Sequence, residues 1–237
     1  MNEPTNAPML PPPSGVSEWF SVWRDALTRP SDQTFARIAQ SPNAKLTTAF
    51  LWIFVSSLVS SLLALPARGV WMSQIMQNAG LEGQFPNVAD SGVMAVICGI
   101  PISAVVAVVV FAIVVGIVQL LARMFGGRGT YDQLAYALAA ILTPYYLITG
   151  VLGLLSAIPF VVYCAGLVGF GLLLYVFVLE VMAVKGVNQF EWWQAIVSLL
   201  LPVFGVICCI SLAVAGLFSV LAPQLNDIFN SLPTPMP

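Results

Sequence analysis

Glu180 is the one charged residue of this 237-residue chain set inside a long apolar run, LLLYVFVLEVMAV. A carboxylate at membrane depth is costly to hold there, so residues of this kind are functional candidates by default. Its position also supports a plainer reading. Glu180 lies about one turn from the end of its run and near Lys185, where it reaches the headgroups or pairs with the lysine. A proton pathway needs further carboxylates at the same depth, and the apolar runs hold none.

Other chemistry is limited by composition. The chain has no histidine, which removes the commonest general base and the commonest metal ligand together. A Ser-His-Asp triad and imidazole ligation of haem or chlorophyll go with it. Cys98, Cys164, Cys208 and Cys209 all lie in apolar runs, without CxxC or disulfide-framework spacing, and read as packing residues. Adjacent thiols on a helix point about 100° apart, so Cys208 and Cys209 make a poor clamp for an ion. With no nucleophile–base pair to assemble, neither an enzyme nor a metal or cofactor is expected.

Two glycine clusters invite comparison with phosphate-binding loops. Gly166, Gly169 and Gly171 follow no strand and open no phosphate-binding helix, so close helix packing is expected there. The turn Gly126-Gly127-Arg128-Gly129 lacks the Lys-Ser/Thr of a P-loop and reads as a flexible cationic turn. Arg123 and Arg128 in it are candidate contacts for an anionic lipid or phosphate.

The elements that must position these residues follow from hydropathy. Hydrophobic residues make up 59% of the chain and charged residues 8%, and the mean hydropathy is +0.94. A soluble domain carries roughly 25% charged residues. The expected fold is therefore all-α: a polytopic membrane helix bundle of five transmembrane helices plus short interfacial helices. The spans are expected at about 47–65, 93–122, 133–157, 160–184 and 192–221, within a membrane domain over 47–221. The second is longer than a bilayer core needs, which tilt, a bend at Pro101 or a start near Pro101 would accommodate. Only Ile158 and Pro159 separate the third and fourth spans, which must form an antiparallel hairpin. Ser56, Ser57, Ser60 and Ser61 on the first span, and Ala112 with Gly116 on the second, suit helix packing.

Outside the spans, residues 1–13 read as a disordered Pro-rich tail and 222–237 as a short external tail. Residues 14–46 read as a cytoplasmic interfacial amphipathic segment. Trp19, Trp23 and Leu27 recur every four residues with Phe20 beside them, which suits a helix in the membrane interface or one packed under the bundle. Trp19, Phe20 and Trp23 are its interfacial candidates. Pro30 separates a second short helix, about Asp32 to Ala39, with Phe35 and Ile38 inward. Val70, Trp71, Ile75 and Met76 suggest a further interfacial helix. No secretory signal peptide is visible, so the first span is expected to direct insertion. An N-terminus in the cytoplasm places Arg24, Arg29, Arg37, Lys45, Arg123, Arg128 and Lys185 inside and only Arg68 outside. The expected location is the cell membrane, with the C-terminus external.

Several stretches resemble the Yip1 domain family, a five-span membrane family. The segment LTRPSDQTFARIAQSP is similar to the family's entry to the membrane, with Pro30, Phe35 and Ile38 in place. GGRGTYDQLAYALAAILTPYYL resembles its glycine-rich loop and proline-bearing third span, through Gly126, Gly127, Gly129, Tyr131, Ala137 and Pro144. LLLYVFVLEVMAVKGVNQFEWWQAIVSLLLP is similar to the family's end of span four and start of span five, with Glu180, Ala195 and Pro202 in place. The resemblance covers about Arg24 to Val220. Eukaryotic members associate with Rab-type GTPases in vesicle traffic. Their DLYGP-type motif is missing here, which sets the chain nearer the bacterial branch and argues against GTPase binding.

The function expected is that of a non-enzymatic integral membrane protein that organises membrane or partner proteins. Its partners would be the lipid bilayer and either other membrane proteins or copies of itself, with no nucleic acid. Two alternatives stand beside it: a small transporter or channel with helices broken at Pro101, Pro144 and Pro202, and an accessory subunit of a larger membrane complex.

Overall fold

The computed structural model describes residues 16–67, 88–158, 160–205 and four further positions up to 216, with backbone only at 16, 17 and 88–97. All regular structure among these residues is helical. Helices α1 (Val16–Thr28), α2 (Asp32–Ala39), α3 (Leu46–Leu63), α4 (Val88–Met124), α5 (Tyr131–Leu155) and α6 (Val161–Asn188) follow in order. A shorter apolar helix, α7, covers Trp192–Gly205.

The helix boundaries have local causes. Pro30 cannot continue α1, and Ser31 starts α2 by accepting the Thr34 N–H on its hydroxyl at 3.0 Å. The end of α4 is a Schellman motif. Gly126 takes φ 86°, its N–H donates to Arg123 O, and the Gly127 N–H donates to Ala122 O at 2.9 Å. Thr130 then opens α5 with a full capping box, paired reciprocally with Gln133. Gln189 closes α6 in the left-handed region at φ 57°.

Among the described residues, four helices are long and apolar enough to cross a membrane: Leu46–Leu63, Cys98–Met124, Tyr131–Leu155 and Val161–Asn188, of 18, 27, 25 and 28 residues. A helix suits that setting because it satisfies its own backbone polar groups where no water can. The four match the first four expected spans, with shifted ends. The helix α4 runs through Pro101 as one 37-residue helix, and its apolar span, Cys98–Met124, begins close to that proline. The break expected between the spans at 160–184 and 192–221 begins later, after Asn188. The last turn of α6 is buried at Val184, Gly186, Val187 and Asn188, and this packing carries the helix on to Asn188. For the fifth, α7 is apolar over the 14 residues from Trp192 to Gly205. Most of the remainder to 221, the two tails and the segment around Trp71 lie outside the described residues.

The core forms where α3 packs along α5, with α4 against α3, and α6 against α5. Small side chains on α5, Ala135, Ala137, Ala139 and Ala140, are fully buried and let the neighbours approach closely. At Gly150 an added Cβ would lie 2.7 Å from the Ser60 Cα. Ser56 turns its hydroxyl back onto its own helix, donating to Ile53 O at 3.2 Å. Ala112 and Gly116 make room for a ring rather than a helix: the Tyr131 hydroxyl donates to Ala112 O at 3.0 Å, and the ring edge lies over Gly116. The close packing expected at Gly166, Gly169 and Gly171 is not found among the described residues, where nothing lies within 4 Å of an added Cβ. This half of α6 stands clear of the described bundle, with Leu167 76% and Phe170 63% exposed. Lipid tails are as apolar as these side chains, so exposing them to lipid costs little.

Candidate functional site: an amphipathic arm seated on the bundle

The first two helices form an arm folded onto one end of the bundle. α1 lies on α5, and α2 lies on α5 and α6. The four-residue spacing of Trp19 and Trp23 puts both indoles on one side, where they meet Trp52 of α3 edge-on. The ring centroids stand 5.9 Å and 5.5 Å from that of Trp52. Trp52 in turn lies 4.9 Å from the Tyr136 ring of α5. Such edge contacts are worth about 0.5–1.5 kcal/mol each beyond simple burial. Phe20 projects from the arm 62% exposed, and the Arg24 and Arg37 side chains are 69% and 67% exposed. The docked face of the arm is thus aromatic; outward from it stand Phe20, edge-on to Trp23 at 5.2 Å, and Arg24 and Arg37, which lie 3.5 Å and 3.6 Å from the Asp25 carboxylate.

Polar contacts fix the arm at both ends. Asn43 donates to Glu18 Oε1 at 2.6 Å, and the Tyr175 hydroxyl of α6 donates to the Leu27 carbonyl. At α2, Lys185 Nζ donates to Asp32 Oδ2 at 2.7 Å and stands 4.5 Å above the Trp192 ring. The hydrogen bond from Lys185 holds the Asp32 carboxyl below its usual range, against an opposing effect of desolvation, with help from the Gln33 N–H. Gly186 sits directly beneath the Asp32 carbonyl, and any Cβ there would collide with it.

The glycine turn between α4 and α5 is pinned rather than loose. Gln119, 3% exposed, donates to Gly129 O at 2.6 Å and to Asn188 Oδ1 at 3.3 Å. The Arg128 N–H donates to Asn188 O at 3.1 Å. A Cβ at Gly127 or Gly129 would strike Asn188 Oδ1 at 2.8 Å or 2.9 Å. Arg123 and Arg128 project outward from this fixed turn, both exposed. Beside them Phe125 meets Trp193 edge-on at 5.6 Å.

Glu180 stands apart from the arm. It is half-buried in α6, in the electrostatic neighbourhood of Tyr145 and Tyr146 of α5. It makes no hydrogen bond or ion pair among the described residues. The pairing with Lys185 offered by the sequence is not formed. Residues five apart on a helix point about 140° from each other, and Lys185 turns to Asp32 instead. Asp32, Trp52, Gln119 and Asn188 were not singled out as site residues from the sequence. The Thr130-x-x-Gln133 pattern, and an amide at Gln119 inside an apolar run, were signals of this arrangement.

Four long apolar helices behind an amphipathic arm define a multi-pass integral membrane protein. The Yip1 domain family model matches residues 24–215, and the chain belongs to that family. No curated protein and no solved structure matches the chain.

Proposed function

We propose that this chain is a non-enzymatic membrane organiser that engages lipid or partner proteins through the outer face of its arm. The observation that carries this reading is the division of α1. Trp19 and Trp23 are committed to Trp52, which leaves Phe20, Arg24 and Arg37 presented outward at a membrane surface. Anionic headgroups or an acidic partner complement that face. Five spans belong to the proposal: the apolar α7 continues in an uncharged sequence to Leu221. So does a cytoplasmic N-terminus, supported by seven cationic residues on the arm side against Arg68 alone.

Gentle extraction of the tagged chain from its native membrane, with mass spectrometry of what stays bound, tests the role. A fixed set of co-purifying proteins lost with Phe20→Ala and Arg37→Gln supports it. The same proteins retained by that double variant would overturn the assignment to the arm. Labelling single cysteines at positions 68 and 128, in a background lacking the native thiols, from either side tests the orientation. A transporter is the second reading, favoured by Glu180 standing half-buried within an apolar span. Solute flux in proteoliposomes that disappears in Glu180→Gln would establish it.

A further inference from the structure

A cleft of about 290 Å³ lies in the seam between α2 and the end of α6, with Asp32, Gln33, Lys185, Gly186, Gln189 and Phe190 in its wall. That is roughly ten times the share of one water molecule, so a polar group of several heavy atoms fits. Phe20, Arg24 and Arg37 do not line it, and the cleft is therefore separate from the arm's outer face.

Its polar groups are open to a ligand. The Asp32 side chain is 41% exposed, and Gln33 and Gln189 are both exposed. Neither glutamine side chain makes a hydrogen bond among the described residues. The Asp32 carboxylate accepts from Lys185 on Oδ2 and from the Gln33 N–H on Oδ1 at 3.0 Å, which leaves acceptor capacity on each oxygen. Lys185 has three N–H donors and spends one on Asp32. Beside this pair α6 ends, and the Gly186 carbonyl receives no backbone N–H among the described residues. The end of a helix carries partial negative charge on such carbonyls. Acceptors and donors of opposite charge thus stand side by side in one cleft.

The depth of the cleft points to the kind of molecule that reaches it. At 28 residues, α6 is about 42 Å long against a hydrocarbon core of roughly 30 Å. Its first turns are wholly apolar, and its charge, Lys185, is in the last turn, so the excess length falls at the cleft. Trp192 and Trp193, just beyond, are 44% and 57% exposed, as aromatic residues at the headgroup boundary are. Lys185 Nζ stands over the first of them.

We propose that this cleft binds the headgroup of a phosphatidylethanolamine. The lipid's ammonium donates to the Asp32 carboxylate and the Gly186 carbonyl. Lys185 and the amides of Gln33 and Gln189 donate to its phosphodiester. A cleft holding both charges selects a zwitterion: a purely anionic headgroup leaves Asp32 without a complement, and a trimethylammonium group has no N–H to donate. The bound lipid bridges α2 and α6.

Methylating the headgroup nitrogen keeps its charge and removes its donors, which isolates this contact. The full-length protein in detergent is melted with added phosphatidylethanolamine, phosphatidylcholine or phosphatidylglycerol of the same acyl chains. Phosphatidylethanolamine should raise Tm above phosphatidylcholine by roughly 2–4 °C, the shift one good hydrogen bond gives in a protein of this size. Phosphatidylglycerol should fall short of it by a similar margin. Asp32→Asn and Gln33→Ala should each narrow the ethanolamine gain. The gain is a difference between lipids within one variant, so the loss of basal stability in Asp32→Asn cancels, and Gln33 has no side-chain hydrogen bond to lose. Equal stabilisation by ethanolamine and choline lipids overturns the proposal. So does phosphatidylglycerol raising Tm as far as phosphatidylethanolamine, which marks attraction to net charge alone. An ethanolamine preference unchanged in both variants overturns it as well.

Discussion

Lys185 Nζ meets Asp32 Oδ2 at 2.7 Å across 153 residues of chain, joining the start of α2 to the last turn of α6. The contact is partly screened, with the lysine side chain 19% and the aspartate 41% exposed. Its role is to set where α2 sits, while Phe35 and Ile38 beneath it provide the apolar burial.

A double-mutant cycle on Asp32→Asn and Lys185→Met should therefore give a modest coupling, below about 1 kcal/mol and smaller at high salt. The readout is the thermal midpoint in a fixed detergent. A coupling several times larger would show that the pair, rather than the apolar contacts, holds the arm.

The same pair has a pH signature of definite sign. The Asp32 carboxyl titrates below its ordinary 3.8 in the folded protein. The stability it contributes is fully present above that value and is lost as pH falls through the folded pKa. The difference in midpoint between wild type and Asp32→Asn should be constant from pH 7 to 5 and shrink below pH 4. A difference that grows on acidification would contradict the assignment.

Two glycine substitutions on one helix should have opposite effects. Gly186→Ala places a methyl against the Asp32 backbone and should cost about 1–3 kcal/mol. Gly166→Ala meets nothing within 4 Å and should be neutral or stabilise by up to about 1 kcal/mol. Melting both variants side by side checks the register of α6 against α2 directly.

At the pinned turn, Gln119→Leu strips the buried Gly129 carbonyl of its donor and should cost about 1–3 kcal/mol. Thr130→Ala removes only the exposed capping box and should cost about 1 kcal/mol. Amide exchange at residues 126–133 should quicken in both, and more widely in Gln119→Leu, because the bond to Asn188 goes too.

The membrane helices were legible because hydropathy and length alone specify them, and α3 and α5 begin within a few residues of where charge gives way to apolar sequence, while α6 begins just after Pro159. Their ends were less so. The extension of α6 to Asn188 depends on contacts with α2 and with the 126–129 turn, which no local pattern encodes. The helical spacing of Trp19 and Trp23 marked α1 as one-sided, yet it could not say what that side met. Trp52, which meets it, looks in the sequence like one more apolar residue in LTTAFLWIFV. The glycines show the same limit in reverse. Gly166, Gly169 and Gly171 share the spacing of packing residues, while the close approaches occur at Gly150 and Gly186, chosen by partners far away in the chain.

The separation between Asp32 and Lys185 also has a meaning in time. At about 5–20 residues per second, the ribosome adds the lysine roughly 8–30 s after the aspartate. Tyr175, which holds the carbonyl at the end of α1, is likewise made late. Throughout that interval the newborn arm lacks both of these ties, although Trp52, on which its tryptophans dock, is made early. Final seating of the arm by these two ties thus waits on the arrival of the fourth membrane helix.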